Sequence, residues 1–381
     1  MNELFGVYRY LLMTLDPVHI GTGGTRLGRV DNPIVREPGT KLPKIPGTAL
    51  HGAIRSYAAR RYGKPQCAGQ GQTDGSRHCG RPTCPICYTF GAITGERSYS
   101  GVVAIGDARI LLFPVYSMVG PVWVTSPSVL EDAGICSGAS VAPDKGKWGG
   151  DDSELPADKP INLGWLMVER DGDLPSSINW PDKIPRQVCN RVVLVSDKLF
   201  SQIVNSNLEV RTSVSINPET GAAEEGALFT YEAIPRAAIL WMEVVVDDYR
   251  EAFPTREKII NCWNQLKETW EDQIGNLPSS LPTEKQEGIN QTVSILREAG
   301  FRFLETIPAD DKQKEAFWKR FKEILVGLYQ DASCYENLGL SWEEPQEVVA
   351  AGLEWAQHLG IGGMGTRGFG RVRKVADWRV G

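Results

Sequence analysis

The chain has 381 residues, a net charge of −6, 41% hydrophobic residues and 11 Trp. That length allows one large domain with insertions or two to three domains, and the composition is that of a packed globular protein. The acidic balance argues against a simple basic nucleic-acid binder. No apolar run of 18 or more residues occurs, so no transmembrane helix and no membrane partner are expected. The first ten residues lack a basic stretch followed by an apolar core, which predicts a cytoplasmic protein.

The charge is unevenly spread. Residues 41–81 carry eight Lys/Arg against one acid, Asp74, and residues 243–287 carry ten acids against five bases. A protein that holds a polyanion on one face and stays soluble has this pattern.

In chain order, residues 8–15 read as a first strand running into a polar, glycine-rich loop, 19–46, that contains Asp31. A helix follows from Pro46-Gly47-Thr48, with Thr48 as expected N-cap. Leu50, Ile54, Tyr57 and Ala58 share one face of it, and Arg60 and Arg61 suit its C-terminal dipole. Residues 64–95 are rich in cysteine and glycine. Strands are predicted at 102–105, 108–115, 122–125, 191–195 and 239–246, with a loop at 137–160. Residues 208–233 read as two extended segments joined by a turn at 217–221 (Asn-Pro-Glu-Thr-Gly). Helices are predicted near 256–274, 286–305, 311–329 and 348–359. This order fits an α+β sandwich with large insertions, a class in which ferredoxin-like sheets commonly carry RNA.

Six of the eleven residues 360–370 are glycine, and Arg371, Arg373 and Lys374 follow. Gly363-Met-Gly365-Thr-Arg-Gly368 matches G-x-G-x-x-G in form. The dinucleotide motif needs a helix after it and an acidic residue about 20 positions on. Here an alternating, strand-like segment follows instead, and no Walker loop occurs. A glycine-rich turn without ligand and a phosphate-facing loop are the remaining readings.

Cys67, Cys79, Cys84 and Cys87 lie within 21 residues, and Cys84-Pro-Ile-Cys87 is a C-x-x-C pair. Four thiolates around Zn²⁺ make a closed, structural site. His78 is an alternative ligand in place of Cys67 or Cys79. A redox pair lacks thioredoxin-like context; plain reduced thiols are the simplest alternative.

Four segments, taken in order, resemble one family. They are 17–23 (Pro-Val-His-Ile-Gly-Thr-Gly) with 30–37 (Val-Asp-Asn-Pro-Ile-Val-Arg-Glu); 45–55 (Ile-Pro-Gly-Thr-Ala-Leu-His-Gly-Ala-Ile-Arg); 211–229; and the glycine loop with Arg367-Gly-Phe-Gly-Arg371. Together they resemble the RAMP superfamily and, more closely, the backbone subunit of type III CRISPR–Cas effector complexes. Residues 250–347 carry no part of this resemblance.

The resemblance implies a single RAMP-type domain over 1–381 with a ferredoxin-like, RNA-recognition-motif-like core. Within it lie a zinc-binding insertion (64–96), a β-hairpin thumb (205–236) and a helical insertion (250–347). It implies guide RNA, target RNA and other CRISPR effector subunits as partners, and a thumb that wedges between guide and target. It implies endoribonuclease activity through an acidic residue in the loop after the first strand, which falls on Asp31, with Mg²⁺ or another divalent metal. One carboxylate is a sparse metal site, so RNA phosphates and water must complete it. His19 matches a family histidine, and Glu232 beside Tyr231 falls near the cut. Guide binding is expected at Lys41, Lys44, Thr48, His51, Arg55, Gly363, Gly365, Arg367 and Arg371, through the RNA backbone. Two alternatives are a non-cleaving scaffold of the same complex and a metal-independent CRISPR RNA-processing endoribonuclease. A zinc-bearing module unrelated to RNA is a further one.

Overall fold

The computed structural model describes residues 5–23, 30–69, 78–94, 97–150, 153–301 and 307–380. The strands are β1 (Gly6–Thr14), β2 (Lys44–Ile45), β3 (Ala92–Thr94), β4 (Arg97–Tyr99), β5 (Val103–Ile105), β6 (Ala108–Val115), β7 (Val122–Thr125), β8 (Lys145–Lys147), β9 (Ile161–Leu163), β10 (Leu166–Arg170), β11 (Val192–Val195), β12 (Glu209–Ile216), β13 (Ala223–Ala233), β14 (Ile239–Val246) and β15 (Val372–Val380). The helices are α1 (Gly47–Arg61), α2 (Pro85–Phe90), α3 (Pro127–Asp132), α4 (Arg186–Cys189), α5 (Asp197–Ser206), α6 (Arg256–Trp270), α7 (Gln286–Glu298), α8 (Asp311–Glu336) and α9 (Pro345–Leu359). The fold is α+β, with a large mixed sheet and several helices.

Two compact units form. One comprises Val7–Ala53, Ile105–Val244 and Leu353–Gly381; the other comprises Met1–Gly6, Ile54–Ala104 and Val245–Gly352. Because α1, β14 and α9 run through the boundaries, each unit takes part of these elements.

The sheet of the first unit runs β15-β1-β14-β6-β7-β11-β8-β10-β9. β1 pairs antiparallel with β15, and β6 pairs antiparallel with β14. Numbering β1, β6, β14 and β15 by their order in the chain, the sheet reads 4-1-3-2. Apolar runs explain the centre: Tyr10, Leu11, Leu12, Ile239, Leu240 and Met242 are all buried. β11 is buried at every position, as a Val-Val-Leu-Val strand paired parallel to β7 should be. Strand β8 lies within the expected loop 137–160, held by parallel pairing to β10 that local sequence does not announce.

β12 and β13 form the expected hairpin, apart from the main sheet. Its turn is an Asx turn: Asn217 Oδ1 accepts from Glu219 N at 2.8 Å, and Gly221 N donates to the Asn217 carbonyl at 2.8 Å.

The second unit gathers the cysteine segment and the helices of 250–347, two stretches expected as separate insertions. Its core is aromatic. Trp318 stacks on Phe321 at 5.3 Å, Trp270 meets Phe321 edge-on at 5.5 Å, and Trp342 meets Tyr62 and Tyr335 at 4.8 Å each. Asp331 of α8 is fully buried and ties the two stretches together. It pairs with Lys64, with Arg81 at 3.1 Å and with the Thr83 hydroxyl at 2.5 Å. The helix expected to reach residue 305 ends as α7 at Glu298, and residues 302–305 lie outside the described residues.

Candidate active site and candidate metal centre

The loop after β1 and the base of the hairpin meet in the first unit. Asp31 Oδ2 accepts from the Thr230 N–H at 2.8 Å and from its hydroxyl at 3.0 Å, and Asp31 N donates to the same hydroxyl at 3.1 Å. The Thr230 N–H first, and then its hydroxyl, hold the carboxyl below the usual aspartate value, so Asp31 is charged at neutral pH. Asp31 is exposed. Both hydrogen bonds fall on Oδ2; among the described residues Oδ1 makes none.

His19 and Glu232 stand behind this loop. His19 Nδ1 donates to the Glu232 carbonyl at 2.7 Å. The Glu232 carboxylate pairs with Arg36 at 2.6 Å and accepts from Ile34 N at 3.3 Å. Backbone bonds Asn32 N to Thr230 O and Glu232 N to Asn32 O, both 3.1 Å, lay the Asp31 loop alongside β13. His19 and Glu232 are both buried, so they fix the loop while Asp31 presents itself. Sequence reasoning did not single out Thr230. Its signal is the alternation of β13, which puts Thr230 and Glu232 on one face.

The glycine loop joins the same place. Gly363 N donates to the His19 carbonyl at 3.0 Å, and Gly370 N to the Pro17 carbonyl at 2.8 Å. At Gly362, with φ +92°, a Cβ would lie 2.3 Å from Ile20 Cδ1 and 2.6 Å from the His19 carbonyl oxygen. Close backbone approach to the β1 loop is therefore what demands glycine here. The Gly363 N–H, expected to face phosphate, is used inside the protein. Arg367 is exposed and donates Nη1 to the Tyr231 hydroxyl at 2.8 Å, and Tyr231 meets His19 edge-on at 6.0 Å. Gly365 is exposed on the same loop.

Other expected guide contacts fall differently. The α1 N-terminus is capped by Asp107, whose Oδ1 accepts from Gly47 N at 2.8 Å while Oδ2 pairs with Lys44 at 2.5 Å. Burial opposes the charge of Asp107, but Lys44 and the Gly47 N–H outweigh it and hold the carboxyl below its usual value. Thr48 is thus inside the first turn, not the N-cap, because the Pro46 carbonyl already accepts from Ala49 and Leu50. Thr48 and Lys41 are exposed and His51 is half-buried. Arg371 is bound by both oxygens of Asp16, one of them at 3.1 Å. Arg55 is 6% exposed and belongs to the second unit, where it donates to the carbonyls of Cys67 (2.8 Å) and Phe90 (3.2 Å). Its guanidinium is held within the cysteine segment, with Nη2 buried and without a hydrogen-bond partner among the described residues.

Cys67, Cys79, Cys84 and Cys87 place their four sulfurs within 4.8 Å of one another. Sulfur separations are 3.6 Å (Cys67–Cys87), 3.7 Å (Cys79–Cys87) and 3.9 Å (Cys67–Cys84). A tetrahedron with Zn–S bonds of about 2.3 Å has edges of roughly 3.8 Å, so the donor set fits. Hydrogen bonds from the other three sulfurs push the Cys67 thiol well down, while burial pushes Cys84 up. Cys79 is drawn down to about 7: its bond with Cys67 raises it, and those with Cys84 and Cys87 lower it. His78 stands outside the set. Its Nδ1 accepts from Ile93 N at 3.0 Å, and burial first, then Arg55, lowers it to about 4.

With this geometry established, comparison gives the family. A model described as the RAMP superfamily matches residues 11–274. The CRISPR system Cmr endoribonuclease Cmr4 of Pyrococcus furiosus is 30% identical over 253 residues, 62% of this chain and 80% of Cmr4. The Cms endoribonuclease Csm3 of Mycobacterium tuberculosis is 49% identical over 43 residues, 11% of this chain and 18% of Csm3. Among solved structures, a chain of the type III-B Cmr-beta complex bound to cognate target RNA is similar in fold. It has a TM-score of 0.50 and 17% identity, covering 65% of this chain and 86% of its own length. The chain belongs to the RAMP superfamily, with the backbone subunits of type III CRISPR effectors. No described helix is long and apolar enough to cross a membrane.

Proposed function

We propose that this type III backbone subunit holds a guide RNA by its phosphates and cleaves complementary target RNA at Asp31, beside the β12–β13 hairpin acting as thumb. The observation that carries this reading is the exposed Asp31 carboxylate, clamped to the hairpin base by Thr230. Relatives named as endoribonucleases support the reaction class. The 4-1-3-2 strand order supports a ferredoxin-like core within one RAMP-type domain, carrying the segments 64–96, 205–236 and 250–347.

Asp31 would hold a divalent metal such as Mg²⁺ through the carboxylate face that Thr230 leaves open, with RNA phosphate and water as the other ligands. Such a metal supplies charge stabilisation at the scissile phosphate. The chain's own part is to fix that carboxylate. Thr230 sets its rotamer, while Glu232, Arg36 and His19 hold the loop against the thumb. Arg367, anchored on Tyr231, supplies a cation at the same edge for the RNA backbone. Lys41, Thr48, His51 and Gly365 remain candidates for guide contact, and Lys44 and Arg371 would need to exchange a carboxylate for a phosphate. A metal-free mechanism resting on histidine is less well supported, because His19 and His78 are buried with Nδ1 bonded to backbone. The four cysteines would hold one structural Zn²⁺.

The test is cleavage of guide-complementary RNA by the assembled complex. Asp31→Ala and chelation of divalent metal should each abolish cleavage while assembly and guide content persist. Cleavage at an unchanged rate in Asp31→Ala would remove the catalytic assignment of Asp31.

A further inference from the structure

We propose that a cavity in the unit bearing the cysteines and helices is a binding site for a nucleoside phosphate. Every residue in the argument belongs to that unit, so it stands apart from the Asp31 reading.

The cavity measures about 480 Å³, within the range of small-molecule sites, about 300–1,000 Å³. Arg81, Arg250, Arg320 and Lys322 line it, against one carboxylate, Glu323. Asp331 neutralises Arg81 only in part, because Lys64 shares the same carboxylate. Lys322 donates to the Pro278 carbonyl at 3.1 Å, which carries no formal charge. Lys322 therefore keeps its charge at the cavity, whose lining also includes Cys79 and Cys87 of the cysteine cluster.

Arg250 points most directly to an anion. Its guanidinium carbon lies 4.1 Å from the centre of the Tyr88 ring, which holds the plane flat. Nη2 donates to the carbonyls of Tyr88 and Ser100 at 3.0 and 3.3 Å. Nε is buried and has no acceptor among the described residues. A buried N–H without an acceptor calls for one from outside the protein, and a guanidinium binds anionic oxygen best. Tyr88 is itself fixed: its hydroxyl bonds Asp248 and accepts from Ala252 N at 3.0 Å. Tyr99 also lines the cavity and is 39% exposed, so its ring can stack on a base. Cations for a phosphate and an aromatic ring for a base, in one half-open cavity, match a nucleotide better than an acidic peptide, which would have no use for the stacking face.

The nucleotide can be free or one unit of an RNA strand, and photoaffinity labelling of the full chain separates the two. The probes are 8-azidoadenosine monophosphate and a short single-stranded RNA carrying 4-thiouridine, with adducts mapped by mass spectrometry. The proposal expects an adduct on a peptide containing Tyr88 or Tyr99. Labelling by the free nucleotide, competed by AMP, assigns a free ligand; labelling by the RNA alone assigns a strand. In the double variant Arg320→Ala, Lys322→Ala the labelling should fall roughly tenfold or more, and in Asp31→Ala it should not change. If the double variant melts early, Tyr99→Ala takes its place. No adduct in the cavity with either probe, or labelling unmoved in a variant that melts like the parent, overturns the proposal. So does an adduct that an acidic peptide displaces and AMP does not.

Discussion

The Asp31 loop and the cysteine cluster hold their reactive groups in opposite ways. Asp31 is an exposed carboxylate held through one oxygen by Thr230, and among the described residues its other oxygen makes no hydrogen bond. The cysteines are four sulfurs at tetrahedral spacing, with Cys67, Cys84 and Cys87 buried and Arg55 packed beneath them. An ion held by four protein ligands has no position left for substrate, whereas an ion held by one carboxylate has nearly all of them. On the proposed reading, the difference would give support to one region and chemistry to the other.

The contrast breaks if the cysteines prove dispensable. Cys84→Ser, or chelation, should remove one zinc per chain and cost several kcal/mol of stability in that unit, since structural zinc binding is worth about 10 kcal/mol or more. Elemental analysis and thermal melting check this, and an unchanged melt with no zinc in the parent refutes it. Asp331→Ala leaves Lys64 buried without a partner and should cost about 3–5 kcal/mol, read by denaturant unfolding. An unchanged melt on loss of the cysteines, with the expected loss at Asp331, would make the charge network, not the metal, the joint of the unit.

On the other side, Asp31→Ala should lower target cleavage by about 10²–10⁴, the span of a general catalytic group, with melting unchanged. Thr230→Ala should lower it by roughly tenfold, as loss of one charge-assisted hydrogen bond does. Thr230→Ser keeps both bonds and should restore the rate. Failure of serine to rescue would mean that Thr230 serves the hairpin and not the carboxylate.

Much of this was legible beforehand. The β12–β13 hairpin, the strands at 108–115 and 239–246, and α6 and α9 lie where turn chemistry and apolar period placed them. The C-x-x-C pair with Cys67 and Cys79 was read from spacing and comes together in space. Arg55 illustrates the limit. On a helix near an expected guide path it looked like a phosphate contact, yet it is folded under the cysteine segment. The glycine run looked like a cradle for phosphate, yet Gly362 and Gly363 are needed by the backbone of His19 and Ile20. Asp107 and Asp331 carried no local signal, because their partners lie 60 and 267 residues away in sequence.

What the sequence by itself determined was local: periodicity, turns, the set of four thiols and an acidic residue on a glycine-flanked loop. Only the tertiary structure decided which charges are left over. Arg371 meets Asp16, Lys44 meets Asp107 and Arg36 meets Glu232, while among the described residues Asp31 meets a threonine. Ion pairing depends on distance in space, which chain order does not specify, so which of these carboxylates lies beside a cation is decided by the fold.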